Sequence, residues 1–347
     1  TLLDETPAVV AVELPSFLED AYRKAIERLP EMSVLLYEHQ DEAVYTPVEP
    51  TDPFTEAVRG ALEIDAELLF LEPEASERPH LPDHYPDPYS VRRIGIDKYV
   101  ESYRLFPQPR AERITAHAAA MAWRLQGADP FADILVVVSL NLLDALLDAM
   151  EAPQEPPPRR KDPVEVQLLN PHPDCLAEIT IEYPWLQDRY QRWRAGGGED
   201  PLVDRQRANY ELLREAEKNY EHNTGEKLEY YHRRLLARYS RNLASTSGDL
   251  IAGLFDLTIA ARSIVDDNYA WEVWELANRY SPQRVTSTPE TVSLSGEEIW
   301  LNTRKIRLRR RLPRPKRLAL PRGMKRRRKE KRAGEWAEQL DGNAICS

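Results

Sequence analysis

Two glutamates close strongly apolar strand signals in this sequence. Glu13 ends "AVVAVEL" (8–14) and Glu72 ends "ELLFLEP" (67–73). A carboxylate at the mouth of a buried strand must be paired, solvated in a cleft or protonated. Such a group suits a general base or a ligand of a divalent metal. For Glu13 the competing use is a hydrogen bond to the helix that starts at Pro15-Ser16. For Glu72 it is a loop carboxylate followed by Pro73, with no partner. His80 and His84 sit four apart in "HLPDHYPDP". On a helix that spacing would aim two imidazoles at one metal. Pro82 and Pro86 argue against a helix, so an exposed loop is the competing expectation. Arg92 and Arg93 follow, either as an anion-binding pair or as solvated surface. Finally, "ILVVVSLNLLDALLDAM" (134–150) runs from a buried strand into a helix through Ser139, Leu140 and Asn141, a corner that does chemistry in many α/β enzymes.

The elements that must position these residues read as an α/β arrangement. Strand signals at 8–14, 32–38, 67–73 and 132–140 alternate with helical ones at 15–29 and 52–66. Alternation of this kind predicts a mostly parallel sheet with flanking helices. The Pro- and Asp-dense stretch 71–90 reads as a long loop at the carboxyl end of a strand, where α/β folds bind ligands. Helical signals follow at 96–105 and 109–126, with His117 read as a core or boundary histidine. Domain boundaries are expected as follows: an α/β domain over 1–150, a Pro-rich linker over 151–163, a mainly α-helical domain over 164–290, and a β-hairpin-like segment with a basic C-terminal extension over 291–347. Within the helical part, Leu250, Leu254, Leu257 and Ala261 form a stripe expected to be core. "VDDNY" (265–269) is expected to be a solvated face or an ion-pair partner of the basic tail.

The first 150 residues resemble a known superfamily. "PAVVAVELPSFLEDAYRKAI" is similar to the segment of TraB-like proteins in which a strand ends in a Glu before a helix, and "YTPVEPTDPFTEAVRGALEIDAELLFLEPE" to the part that follows. The wider superfamily includes ChaN-like and erythromycin-esterase-like proteins. The resemblance implies an α/β domain with His and acidic residues gathered at the strand ends. Its members include hydrolases, metal-dependent proteases and haem-binding proteins. It assigns the site acids to Glu13 and Glu72 and a late Gly-x-x-His to the 139–142 corner. There Ser139 replaces the Gly, and Asn141 or Leu142 stands where the His belongs. Asn has no titratable proton near neutral pH and is a poor zinc ligand. The 71–90 loop, through His80 or His84, is one source for the missing imidazole.

Composition sets the outer limits. The chain has 347 residues, and no apolar run approaches the ~18 residues of a membrane helix. Two cysteines are too few for a disulfide framework, which predicts a reducing cytoplasm. The start at Thr1 and the stop at "NAICS" predict an internal fragment of a longer protein, with a trimmed or processed chain as the alternative. Residues 304–332 carry 17 Lys or Arg against Glu330 alone; with +16 there and −11 overall, the rest sums to −27. That basic segment has three candidate partners: nucleic acid, an acidic membrane or protein surface, or the acidic body of its own chain. "IRLRRRL" within it alternates like an edge strand. No G-x-G-x-x-G, Walker or G-x-S-x-G motif occurs. Two functions compete closely. One is a hydrolase-related protein, metal-dependent or acid/base, centred on Glu13 and Glu72. The other is a degenerate, non-catalytic regulatory or interaction module. Nucleic-acid binding through 304–332 is a weaker third.

Overall fold

The structure is a computed structural model that describes residues 6–39, 42–73, 89–105, 111–158, 164–196, 204–295, 298–301 and 304–310. The elements in chain order begin with β1 (Val9–Pro15), α1 (Glu19–Glu27), β2 (Ser33–His39), β3 (Glu42–Val48), α2 (Pro53–Glu63) and β4 (Glu67–Glu72). Next come α3 (Ser90–Ile94), α4 (Ile96–Arg104), α5 (Glu112–Gln126), β5 (Ile134–Val137), α6 (Leu140–Met150), β6 (Val166–Pro171), α7 (Leu176–Ile179) and α8 (Pro184–Arg194). The helices α9 (Arg205–Thr224), α10 (Tyr230–Ser247), α11 (Leu254–Ile264) and α12 (Asp267–Ala277) precede β7 (Thr291–Val292), β8 (Leu294–Ser295), β9 (Glu298–Leu301) and β10 (Arg304–Arg310). The chain forms two compact units, one of residues 1–199 with 280–315, the other of 200–279 with 316–347.

In the first unit a parallel three-stranded sheet runs in the order β4-β1-β5. Central β1 carries "VVAVELP", and Val10, Ala11 and Val12 are fully buried. Strand alternation sends Val10, Val12 and Leu14 to one face, against α1 and α2, and Ala11 to the other, against α5 and α6. α1 and α2 are bolted together by Tyr22, whose hydroxyl lies 2.8 Å from Thr55 Oγ1 in a buried pair. Asp52 caps α2 by accepting from the backbone N–H of Phe54 and Thr55, with Pro53 at the first helical position.

Beyond α1 and α2 lies a second sheet. Seven strands run β7-β6-β2-β3-β10-β9-β8. Leu35, Tyr37, Val44 and Val48 face the layer holding α1 and α2, while Val34, Leu36, Tyr45 and Leu169 pack on the other side with Cys175, Leu176, Ile179 and Tyr280. This corrects the expectation that 32–38 joins the parallel sheet. β2 returns directly as β3, and a connection that short allows only antiparallel pairing, as in Leu36↔Tyr45. The parallel part is therefore three strands, and the larger sheet is mixed, mostly antiparallel. Two further expectations change. β10 is no edge strand, because it lies between β3, in parallel, and β9, antiparallel. β5 is only partly buried, because it is an edge of its sheet. The segment after the Pro-rich stretch 151–158 stays in this unit, since β6 pairs with β2 in register Leu35↔Leu168. Asn170, with no exposed surface, locks that return. Its Oδ1 accepts from Arg28 (2.7 Å) and Gln283 (3.0 Å), and its Nδ2 donates to the Arg284 carbonyl and to Thr291 Oγ1, both at 2.8 Å.

The second unit holds α9 to α12. Gly225 and Gly248, at φ 81° and 86°, end α9 and α10 in the left-handed conformation that glycine adopts without strain. Residues 247–280 form two helices, with Leu257 and Ala261 buried and Leu250 exposed ahead of α11. Asp266 of "VDDNY" caps α12 through the Tyr269 N–H at 2.7 Å, and Asp267 pairs with Arg262 at 2.8 Å. These acids therefore serve a local helix start. The Tyr220 hydroxyl lies 2.8 Å from Asp266 and 2.7 Å from Glu226, and burial together with both carboxylates raises its pKa.

Cys175 sits in the core of the second sheet, its thiol donating to the His172 carbonyl at 3.0 Å, and burial raises its pKa above the ordinary thiol value. Little thiolate forms at mildly alkaline pH. Cys175 is expected to resist iodoacetamide in the folded protein and to react after denaturation. Peptide mass mapping, which separates it from Cys346, checks this; rapid native labelling would contradict the packing.

Candidate functional site

Three apolar strands end in the same way. β1 closes on Val-Glu-Leu-Pro at Glu13, β4 on Leu-Glu-Pro at Glu72, and β3 runs into Val-Glu-Pro at Glu49. All three glutamates are buried, with 0%, 4% and 1% of their surface exposed. Taking a carboxylate out of water is costly unless donors replace the water. The structure shows where those donors come from for two of the three.

Glu13 Oε2 accepts the backbone N–H of Ser139 at 2.6 Å. Ser139 is the residue before α6, and its own side chain makes no capping bond there. The first N–H groups of a helix lack partners within the helix, and the helix dipole favours negative charge beside them. Glu13 thus serves the start of a helix far along the chain. It reaches across the parallel sheet to a helix 126 residues on. The strand-to-helix corner at 139–142 is held by this bond, and Asn141 lies one residue into α6, partly exposed.

Glu49 is bound more fully. Its two oxygens lie 3.0 and 2.8 Å from the Ile181 N–H, and Oε2 also accepts from the buried Gln187 amide at 2.6 Å. It anchors the chain entering α8 to the end of β3. α8 is tied further to α2 by Arg194, which pairs with Glu63 at 2.8 Å and with Glu56. Sequence reasoning singled out Glu13 and Glu72 and passed over Glu49. The repeated apolar-Glu-Pro pattern was the available signal, since "TPVEP" and "LFLEP" match in form.

Glu13 and Glu72 stand on neighbouring strands, with Glu72 level with Pro15 in the register. A register shift in β1 between Val12 and Pro15 falls just where the two acids stand. His80 and His84 lie outside the described residues, and so does the side chain of Arg92. Arg93 is exposed, its guanidinium 5.9 Å from the Tyr89 ring, the outer reach of a cation–π contact. Among the described residues no group of three or more His, Cys, Asp or Glu gathers where a metal could be held.

The first unit also has a groove of about 780 Å³ beside β4, lined by Ser16, Leu69, Trp123, Arg124, Gln154 and Pro157 among others. Arg124 spans it, donating to the Phe70 carbonyl at 3.0 Å and to Ser16 Oγ at 3.1 Å. Neither Glu13 nor Glu72 is among its lining residues. No family model matches this chain, and neither a curated protein nor a solved structure does.

The Glu49 contacts lead to a stability prediction. Glu49→Ala strands the Ile181 N–H and the Gln187 amide in the interior, and is expected to cost about 2–4 kcal/mol. Glu49→Gln keeps a carbonyl acceptor and should lose less. Urea unfolding of the two variants measures the difference; equal stability of all three proteins would show that the anchor contributes nothing.

Proposed function

We propose that this chain is a non-catalytic interaction module built on an α/β frame. One observation carries the proposal: the fully buried Glu13 spends an oxygen on the Ser139 N–H, holding the corner where the superfamily places its histidine. A carboxylate committed to a helix start is poorly placed to abstract a proton or to hold a metal. The relation to TraB-like, ChaN-like and erythromycin-esterase-like proteins belongs to the same proposal. In it, this chain is a member whose strand-end acids have become structural. Asn141 at the position of the expected imidazole supports the same reading. The reducing cytoplasm expected from cysteine usage is retained with it, Cys175 being a free thiol. Among the described residues no helix is long and apolar enough to cross a membrane.

Metal content by mass spectrometry and turnover of ester and peptide substrates test the proposal on the full chain and on the Glu13→Gln/Glu72→Gln variant. Neither protein is expected to carry stoichiometric metal or to turn substrate over. Stoichiometric metal lost in the double variant, or hydrolysis abolished by it, would restore the hydrolase. A structural Glu13 also predicts its own pattern. Glu13→Gln, which still accepts from Ser139, should stay near the parent stability, whereas Glu13→Ala should lose about 1–3 kcal/mol.

A further inference from the structure

Helix α10 is strongly basic. From Tyr230 to Ser247 it holds four arginines and no carboxylate. Elsewhere in the second unit arginines find acids: Arg207 pairs with Glu211, Arg214 with Glu217, Arg262 with Asp267 and Arg279 with Glu275. Within α10, Arg233 turns to Glu217. Arg234, Arg238 and Arg241 make no ion pair or hydrogen bond among the described residues, and all three are exposed. Their spacing of four and three residues puts them on one helical face. Tyr230, Tyr231 and Leu235 flank them, 70%, 57% and 44% exposed. Together these side chains line a shallow groove of about 750 Å³.

We propose that this face of α10 docks an acidic amphipathic helix of a partner protein. The inference rests on the interaction-module reading and names the partner's chemistry. Tyrosine and arginine around an apolar residue is the composition that dominates protein–protein binding energy. The charge requires carboxylates opposite. The three arginines rise along the helix by about 6 and 4.5 Å. A partner helix with acids at i, i+4 and i+7 repeats those rises, so all three pairs form together. Its apolar residues then meet Leu235 and the tyrosine rings. Leu235 adds nothing to a sugar-phosphate backbone, and an overall charge of −11 opposes a long polyanion. A short helix of mixed character avoids that repulsion.

Fluorescence anisotropy on the full chain tests the proposal. The probe is a labelled helical peptide with Glu at i, i+4 and i+7 and Leu between. A control peptide of the same composition has its acids spread around the helix. Binding of the patterned peptide is expected, about tenfold or more tighter than the control and weakened as much by R234Q/R238Q/R241Q. It should also weaken as salt rises. Circular dichroism confirms that the variant keeps its helices. No binding, or equal binding of both peptides, overturns the proposal. So does oligouridine binding the same three arginines more tightly than the peptide. The chain's own Glu335, Glu338 and Asp341 form a rival occupant. Tighter peptide binding in E335K/E338K/D341K would make them the resident partner and overturn the assignment to another protein. Failure here with silent metal and hydrolase assays removes the docking site alone. Detected hydrolysis removes the module reading, whatever the peptide does.

Discussion

A buried carboxylate must find donors, and that constraint organises the first unit. Glu13 and Glu49 each leave the end of an apolar strand with almost no exposed surface. Each is satisfied by the backbone N–H of a segment far along the chain, Ser139 for one and Ile181 for the other. The distances in sequence are 126 and 132 residues. Neither strand nor returning segment can move without taking a donor from a buried carboxyl group. The acids therefore fix register between parts of the chain that no local signal links. Apolar area alone would not do this, because hydrophobic burial is non-directional.

The same logic extends through neutral groups. Asn170 uses both donor and acceptor ends of its amide, joining β6 to Arg28, Gln283, the Arg284 carbonyl and Thr291. Gln283 in turn accepts from the Met32 N–H at 2.8 Å. With the Asn170 and Gln283 amides both bonded at their oxygen and nitrogen ends, a slip would leave buried polar atoms without partners. Hence the chain can depart after α8, build a separate helical unit, and return at Tyr280 to the same sheet. The Tyr280 ring packs on that sheet's core and its hydroxyl donates to the Pro30 carbonyl at 2.5 Å.

Much of the frame was legible in the sequence. Apolar runs at 8–14 and 67–73 are strands that pair in parallel, and the helical periodicity of 52–66 and 109–126 appears as α2 and α5. Strand–turn–strand character near 295 appears as the pairing of β8 with β9. The second sheet was not legible. β3, "EAVYTPV", has Pro47 and a weak alternation that conceals a strand, and missing it made 32–38 look like part of a β-α-β series. β10 reads as an edge because its residues alternate basic and apolar, yet its neighbours are decided by pairing with β3, which composition does not encode. At the candidate site, the buried status of Glu13 and Glu72 could be read from their apolar strands. The register shift in β1 between Val12 and Pro15, which sets where they stand relative to each other, has no signal in the sequence.

The bond that Glu13 makes to Ser139 bears on how such a frame can use a strand-end acid. A strand-end acid is buried either because it works in a cleft or because it binds the chain, and the two uses compete for the same oxygens. In the first case the carboxylate needs an oxygen facing substrate and a pKa suited to proton transfer. In the second it needs a backbone N–H, and the oxygen that accepts it no longer faces a substrate. Glu13 has the second arrangement. The Ser139 N–H is the donor it accepts from, two residues before Asn141 in the first turn of α6. Charges that the chain does not pair are open to a partner in a way that such a carboxylate is not; among the described residues of the second unit, Arg234, Arg238 and Arg241 of α10 form such a group, whereas Arg207, Arg214, Arg233 and Arg262 are paired with acids.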